Sequence, residues 1–475
     1  MAGAIALLAM SGGLCAQQRE PQAGAKTVKT PNGNEVQTRA NGNPREVRVA
    51  GSGMEIHHTL NGNRRVTLER ADHSRIVAER GGRGYVQHSF VFRGHEFAHR
   101  TYLFHGVAYD RFYRRYTYHG VHFDIYAPMR YYPAAFYSWL NNPWAGSASY
   151  PWGWTGNRWY AHYGFYFAPY PAYSGPALWL TDYLLSSTLA AAYQGEVDAG
   201  LAAPVQQNSG GPILTDDVKQ LLSQEVLRQV ALEKSEARTT AQNAEPDPHA
   251  SGIDRLVSDG VHHIFVAGGD LDLLAGDGQE CSISGGDVLQ LSGAASANAT
   301  AASLIVLASK GGQECRKGNA VEISFRDLQD MQNHMRETLD LGLADLESHQ
   351  GQGSLPAEPP SAKAAPKPAA FAASAPARDP NAAAEISAQS QEADKAEQET
   401  LAQLAALKRS QESATAPRAA GPSPAPATIS RGQTVEEVTA ALGAPAKVVD
   451  LGTKKIYVYD DIRVTFTGDK VTDVQ

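Results

Sequence analysis

All six tryptophans of this chain lie between residues 126 and 183, within a stretch that holds 20 aromatic residues in 58 positions. Seven prolines interrupt the same stretch, so neither one long helix nor a regular strand can run through it. That much aromatic surface must be buried or covered by a partner, because a large exposed apolar patch promotes aggregation. The sequence therefore predicts an irregular Trp/Tyr-rich module over 126–194, ending in a helix from about Leu178.

The preceding residues, 31–125, alternate short β-branched and aromatic segments with glycine turns. Asn-Gly pairs between such segments are the strongest local signal for a β-hairpin. The turn sequences are Asn32-Gly33, Asn41-Gly42, Asn61-Gly62, Phe92-Arg93-Gly94, Phe104-His105-Gly106 and Tyr118-His119-Gly120. We therefore expect an antiparallel β meander.

Charge is distributed unevenly along the chain. Residues 44–130 carry 14 arginines, no lysine, 8 acidic residues and nine histidines, while the whole chain has a net charge of −8. A basic, histidine-rich face favours anionic partners, particularly at mildly acidic pH. The alternative is an arginine-rich, solvated sheet surface. The expected partners are envelope proteins or anionic envelope polymers. Nucleic acid is not expected, since Arg80-Gly81-Gly82-Arg83-Gly84 is more simply a turn.

The N-terminus has the pattern of an export signal over residues 1–16. Ala4–Met10 is a short apolar core, and Leu14-Cys15-Ala16 forms an acceptable cleavage site. Lipidation of Cys15 and the absence of export are the alternatives. No transmembrane helix is expected, and peripheral membrane contact stays open. The predicted location is the periplasm, the outer membrane or the cell surface.

Two further cysteines, Cys281 and Cys315, each end a Gly-Gln-Glu-Cys tetrapeptide. An even pair in an exported chain predicts a disulfide. Two reduced, buried thiols are the alternative. A zinc site is a poor fit, because no pair of histidines lies near them.

The rest of the chain divides by composition and periodicity into a multi-domain α+β architecture. An amphipathic helix is predicted over 214–236, and a small central β domain with a C-terminal helix over 253–347. The Leu/Met stripe of that helix, 328–346, suits docking on the β domain or a coiled-coil seam. Residues 351–427 are rich in Ala and Pro, which predicts a disordered linker.

The last 48 residues, 428–475, form a compact pattern of one helix and four strands. Its capping box is Thr434 with Glu437. The segments Gly432-Gln433-Thr434-Val435-Glu436-Glu437-Val438, Leu442-Gly443-Ala444-Pro445, Tyr457-Val458-Tyr459 and Val464–Val471 resemble the SmpA/OmlA (BamE-like) family of small outer-membrane lipoprotein domains. The resemblance implies a periplasmic protein–protein contact module, attached in some members to the β-barrel assembly machinery. It places Tyr457 and Tyr459 at the contact surface. This chain differs from the family in having no lipid anchor adjacent to the domain.

One motif has a catalytic pattern: His95-Glu96-Phe97-Ala98-His99 matches the H-E-x-x-H sequence of zinc peptidases. That chemistry needs both histidines one turn apart on a helix, whereas Thr101, Tyr102 and Phe104 favour a strand. In a strand the two Cα atoms lie about 13 Å apart, too far to share a metal.

These patterns together predict an exported envelope protein that acts by binding, with no catalytic residue, cofactor or metal. A zinc hydrolase using His95, Glu96 and His99 is the first alternative. The second is a glycan-binding protein that uses Trp152, Trp154 and Trp159 as its binding surface.

Overall fold

The computed structural model describes residues 26–201, 212–352, 354–415 and 428–475. The chain divides into two compact units, one reaching Ala405 and the other running from Ala406 to Gln475. The predicted signal peptide, residues 1–16 with Cys15, lies outside the described residues. The predicted multi-domain α+β class, with an N-terminal antiparallel sheet, is confirmed.

Ten antiparallel strands form one continuous sheet in which each strand pairs with the next along the chain. This is the meander that the glycine turns predict. The strands are β1 (Lys26–Lys29), β2 (Glu35–Thr38), β3 (Pro44–Val49), β4 (Met54–His58), β5 (Arg64–Glu69), β6 (Arg75–Glu79), β7 (Gly84–Phe92), β8 (His95–Phe104), β9 (Val107–Tyr118) and β10 (Val121–Tyr126).

The tight turns of this sheet explain the Arg-Gly and His-Gly pairs. At the β7–β8 turn, Arg93 and Gly94 have φ values of 51° and 79°. His105 with Gly106 and His119 with Gly120 repeat this pattern of two consecutive positive φ angles. Two such residues in sequence are the signature of type I′ turns, whose twist matches that of the flanking strands.

The Trp/Tyr-rich stretch folds as an irregular core around three helices. They are preceded by the short strand β11 (Arg130–Tyr131) and are α1 (Ala134–Leu140), α2 (Arg158–Tyr163) and α3 (Pro176–Asp198). Within the core, Trp152 stacks on Trp179 and on Trp154, with ring centroids 5.1 and 5.3 Å apart. Offset stacking of this kind adds to the free energy gained from burial alone.

The predicted amphipathic helix is present as α4 (Asp216–Ala241), and a buried ion pair joins it to α3. Lys219 Nζ on α4 lies 2.7 Å from Asp182 Oδ1 on α3, and both side chains are almost completely buried. Asp182 Oδ2 also accepts hydrogen bonds from Tyr170 N and Tyr173 Oη. Burial raises the pKa of Asp182 and lowers that of Lys219. Burial thus disfavours both charged forms, and each is stabilised by the opposite charge of its partner.

The central region contributes a four-stranded sheet of order β12-β15-β16-β17, a separate hairpin and a long helix. Its elements are α5 (Ile253–Leu256), β12 (Ile264–Val266), β13 (Leu271–Leu274), β14 (Glu280–Ile283), β15 (Val288–Leu291), β16 (Ala301–Ala308), β17 (Ala320–Ser324) and α6 (Phe325–His349). The hairpin pairs β13 with β14.

Helix α6 docks instead of forming a coiled-coil seam. Its first half, with Leu328 and Met331, packs in the core of the central β domain. Its second half, with Leu339 and Leu343, packs among the tryptophans. Gly342 lets α6 approach α3 closely, because a Cβ at this position would lie 2.8 Å from Tyr183 Cδ1. The predicted modules therefore share their cores.

Residues 354–404 differ from the predicted disordered linker of 351–427. They include the short strand β18 (Lys367–Pro368), which pairs with β11, and the helix α7 (Ala382–Thr415). Helix α7 lies on the apolar face of the ten-stranded sheet, where Ile386, Ala393 and Leu404 pack with Val47, Ile56 and Val66. Small alanines let a helix approach a sheet closely. The disorder predicted from composition is therefore wrong for residues 354–404. Residues 416–427 of that linker lie outside the described residues.

Ion pairs fix α7 along the sheet. Arg64 on β5 lies 2.6 Å from Asp394 Oδ1 and 3.0 Å from Glu397 Oε2. His58 also contacts Glu397, at 2.7 Å. A hydrogen bond of 2.7 Å runs from Asn34 Nδ2 to the buried Thr400 Oγ1. These polar contacts set the position of the helix on the sheet.

The C-terminal unit, defined here as residues 428–475, has the predicted helix and four strands. They are α8 (Val435–Leu442), β19 (Lys447–Asp450), β20 (Lys454–Val458), β21 (Arg463–Thr467) and β22 (Lys470–Val474). The Thr434–Glu437 capping box is formed, and Gly443 ends the helix with a φ of 78°. The strands pair antiparallel in chain order.

We predict that Lys219→Met lowers the free energy of unfolding by about 3–5 kcal/mol, because it leaves the Asp182 carboxylate buried without its cation. Chemical denaturation monitored by tryptophan fluorescence measures this change. The control is Lys395→Met at an exposed position of α7, where the change should stay within about 0.5 kcal/mol. Equal effects of the two substitutions would contradict the role of the ion pair.

We also predict that backbone amides of 386–404 are protected from hydrogen exchange in the native protein. Ile386→Asp places a charge under the helix and should accelerate that exchange by on the order of tenfold or more. Ser387→Ala, on the exposed side of the same turn, should leave it unchanged. Exchange of 386–404 at unprotected rates in the native protein would mean that α7 does not pack on the sheet.

Candidate functional site

The H-E-x-x-H motif lies in strand β8, as the sequence predicts. His95 is exposed at the start of the strand, next to the β7–β8 turn, whereas His99 is buried. Glu96 is directed to the opposite side of the sheet and lies 2.6 Å from Arg115 Nη1. The three side chains therefore do not converge on one point, as a zinc site requires.

The side chain of His99 contacts other residues of the same sheet. Its Nε2 lies 3.0 Å from Asp110 Oδ1, and its ring stacks on Phe112 with centroids 4.7 Å apart. Asp110 also binds Arg378, from the segment that leads into α7. No group of three or more His, Cys, Asp or Glu side chains is arranged to hold a metal in the part of the chain that the structure describes.

Two of the tryptophans proposed as a glycan-binding surface are buried. Trp152 donates a 2.6 Å hydrogen bond from Nε1 to Tyr173 Oη, which in turn donates to Asp182. Trp159 is buried beside Trp154, and Trp154 is half-buried against Tyr160, with centroids 5.0 Å apart. Glycan stacking requires exposed ring faces, and Trp152 and Trp159 do not provide them.

The predicted disulfide between Cys281 and Cys315 is present. It connects β14 to the loop between β16 and β17, and both cysteines belong to the core of the central β domain. Its role is structural, since a disulfide stabilises a fold mainly by restricting the unfolded chain.

The basic meander has most of its arginines engaged by acidic groups of the same chain. Arg39 contacts Asp272 at 2.6 Å, and Arg100 contacts Asp124 at 3.1 Å. Arg64 is held by α7, as described above. These contacts neutralise much of the positive charge internally and leave less of it to attract an anionic polymer.

A buried cluster of charges between α4 and α6 contains an acid, Glu233, whose pKa is raised far above its usual range. Arg336 Nη2 lies 2.7 Å from Glu236 Oε2, which also accepts a hydrogen bond from Tyr131 Oη. Burial raises the pKa of neighbouring Glu233 to about 8, despite the opposing charge of Arg336. Perturbed acids often mark active sites, but these three side chains are buried in packed protein. The cluster is therefore structural.

The C-terminal unit has one open and one covered sheet edge. Beyond β22, Gly432 N donates to Val471 O at 2.8 Å, and Val471 N donates to Gln433 O at 2.9 Å. On the other side, β19 pairs only with β20 among the described residues. An unpaired edge offers backbone N–H and C=O groups to another chain.

Exposed apolar side chains lie along this open edge. Val448 is 48% exposed, and Leu451, which follows the strand, is 62% exposed. Val449 and Ile456 form a half-exposed cross-strand pair beside them. The sequence pattern predicts a strand here but does not indicate Val448 and Leu451 as binding residues.

The two tyrosines that the family resemblance assigns to the contact surface are half-buried. Tyr457 packs against Phe466 with ring centroids 4.9 Å apart, on the helix side of the sheet. Tyr459 belongs to the same small core. Their predicted binding role therefore stays a prediction, whereas Val448 and Leu451 are the better exposed residues.

Among the described residues, no helix has both the length and the apolarity needed to cross a membrane. Comparison of the chain with models of protein families, with curated proteins and with solved structures finds no match.

We predict that Glu233 makes a contribution to stability that is lost as pH rises from about 4.5 to about 8. The folded state raises the pKa of this carboxyl to about 8, so over that range the unfolded chain releases a proton that the folded chain keeps. Each pKa unit corresponds to about 1.4 kcal/mol. Denaturation midpoints measured at several pH values test this.

Glu233→Gln should flatten that pH dependence and stabilise the protein above pH 8. The matched change Glu236→Gln should instead destabilise it across the range, because Arg336 loses its partner. A Glu233→Gln protein with an unchanged pH profile would assign the effect to another group.

Proposed function

We propose that this chain is an exported protein of the bacterial cell envelope that acts by binding, and that its C-terminal unit forms the contact with a partner protein. The observation that carries the proposal is the open edge of β19 with exposed Val448 and Leu451. Export rests on the signal-like residues 1–16. The disulfide supports it, since disulfides persist in oxidising compartments.

The chemistry of the β19 edge suits a segment of another protein that adds as a further strand. In such β-augmentation the backbone hydrogen bonds give affinity, and the alternating side chains give selectivity. Val448 and Leu451 would then cover apolar groups of the added strand. Lys447 and Asp450, both exposed on β19, place one positive and one negative charge beside them, so a partner strand with the complementary charge pattern is favoured.

A protein partner fits better than an anionic polymer. The basic sheet that could attract such a polymer has Arg39, Arg64 and Arg100 in internal ion pairs. The resemblance of residues 428–475 to envelope contact domains agrees with this function.

The test is a photoactivatable crosslinking residue at position 451, used in intact cells that produce the full chain. We expect one discrete envelope protein to be crosslinked from this position. The control position is Asp469, exposed at the β21–β22 turn, which should give no adduct. With the crosslinker moved to Val449, the double change Val448→Lys and Leu451→Lys should reduce the adduct by about tenfold or more, with the unfolding midpoint unchanged.

Two results would count against the proposal. Equal adducts from positions 451 and 469 would show that the β19 edge is not the contact. Recovery of the protein and its adducts in the cytoplasm would refute the envelope location. A stable C-terminal unit in the double variant, checked by circular dichroism, is required for the comparison.

A further inference from the structure

A buried cluster in the central β domain brings a lysine and two carboxylates together. Asp287 immediately precedes β15, and Lys310 follows β16, the neighbouring strand, so antiparallel pairing places them at the same end of the sheet. Lys310 Nζ lies 2.5 Å from Asp287 Oδ1 and 3.4 Å from Glu314 Oε1. The Asp287 side chain is 0% exposed and that of Lys310 is 8% exposed.

Backbone and side-chain hydrogen bonds hold each member of this cluster. Asp287 Oδ2 accepts a 2.8 Å bond from Ser284 N. Glu314 Oε2 accepts from Gly311 N at 3.1 Å and from Lys310 N, and its Oε1 accepts from Ser284 Oγ. The amine, the carboxyl and the second carboxylate therefore occupy fixed positions before any reaction, which is the condition for a high effective molarity.

Aromatic residues cover the cluster from the side of the Trp/Tyr-rich module. Lys310 Nζ lies 5.2 Å from the ring centroid of Tyr166 and 6.0 Å from that of Tyr163. Tyr166 Oη donates to Gly286 O at 2.9 Å, next to Asp287. Such surroundings exclude water and make the separated charges of an ammonium and a carboxylate expensive.

We propose that Lys310 and Asp287 form an intramolecular amide (isopeptide) bond, with Glu314 as the group that transfers the protons. The geometry carries this inference, since the amine already touches the carboxyl and Glu314 lies beside both. The bond replaces two buried charges with one neutral amide. It would lie inside the loop that the Cys281–Cys315 disulfide closes.

The protonation states suit this reaction. Burial raises the pKa of Asp287, which favours the protonated carboxyl, the better electrophile. For Lys310, burial disfavours the ammonium, but Asp287 and Glu314 outweigh it and raise its pKa. The amine must therefore lose a proton to a neighbouring base, and Glu314 is in position to accept it.

The step balances without any further reactant. The lysine nitrogen attacks Cγ of Asp287, the C–N bond forms, and one C–O bond of the carboxyl breaks. Counted from the Lys310 ammonium and the Asp287 carboxylate, two of the three ammonium protons pass through Glu314 to the departing oxygen, which leaves as water. The protonated carboxyl is the state reached after the first of these two transfers. The third stays on the amide nitrogen, and Glu314 ends in the state in which it began.

A second buried pair in the same protein provides an internal comparison. Lys219 and Asp182 lie 2.7 Å apart and are equally buried. Within the described residues, however, Asp182 is the one carboxylate within 4.0 Å of Lys219 Nζ. Without a second acid to move the protons, this pair should remain an ion pair.

The experiment is mass spectrometry of the full-length native protein. The intact mass should be one water below that of the disulfide-bonded sequence. After reduction, trypsin should leave the fragment 256–316 uncut after Lys310 and one water lighter, because an acylated lysine is not a trypsin site. Cleavage after Lys219 should proceed normally in the same digest.

Substitutions then separate the roles. Glu314→Gln should restore the full mass and cleavage after Lys310, whereas Glu322→Gln, exposed on β17, should keep the mass deficit. Lys310→Arg should remove the deficit while conserving a cation beside Asp287. Circular dichroism of each variant reports whether it folds.

The unmodified protein decides the main point without any variant. A native, folded chain with its full mass and normal cleavage after Lys310 overturns the proposal. A deficit mapped to another pair of residues overturns it as well. A deficit that survives Glu314→Gln but disappears in Lys310→Arg overturns the assignment of Glu314.

Discussion

The first unit depends on one long buried helix, α6, and on the polar side chains by which it binds α3, α4, β9 and β10. Arg336 pairs with Glu236 of α4, Asn333 binds the backbone of β10, and Glu337 accepts a hydrogen bond from Tyr113 of β9. On another side, His334 meets Thr188 of α3 at 2.8 Å. Buried polar groups must be satisfied, so these bonds fix how the sheet and helices are placed around α6.

Local patterns in the sequence were sufficient for the elements whose signals are short-range. The turn glycines predict an antiparallel meander, and the Thr434–Glu437 capping box predicts α8. Thr101, Tyr102 and Phe104 predict a strand at His95–His99. The paired cysteines predict the disulfide. Each of these depends on residues close in sequence or on a simple count.

Long-range packing is what the sequence did not reveal. Helix α7 has the composition of a linker because its buried face uses alanine, Gln389 and Thr400 where larger apolar residues are usual. The apolar face that receives it lies on strands more than 300 residues earlier. The exposed Val448 and Leu451 were missed for a similar reason, since nothing local distinguishes an edge strand from a central one. Asp287 and Lys310 are far apart in sequence, and only the pairing of β15 with β16 brings them together.

The late position of α7 in the chain has a consequence for how the protein is made. Asn34 and its hydrogen-bond partner Thr400 are 366 positions apart, so the early hairpins leave the ribosome long before the helix that shields them. During that interval the Val and Ile side chains of β3 to β6 have no covering layer. A chain in this condition is prone to self-association, so the interval between synthesis of β6 and synthesis of Leu404 is when the sheet is most exposed to misassembly.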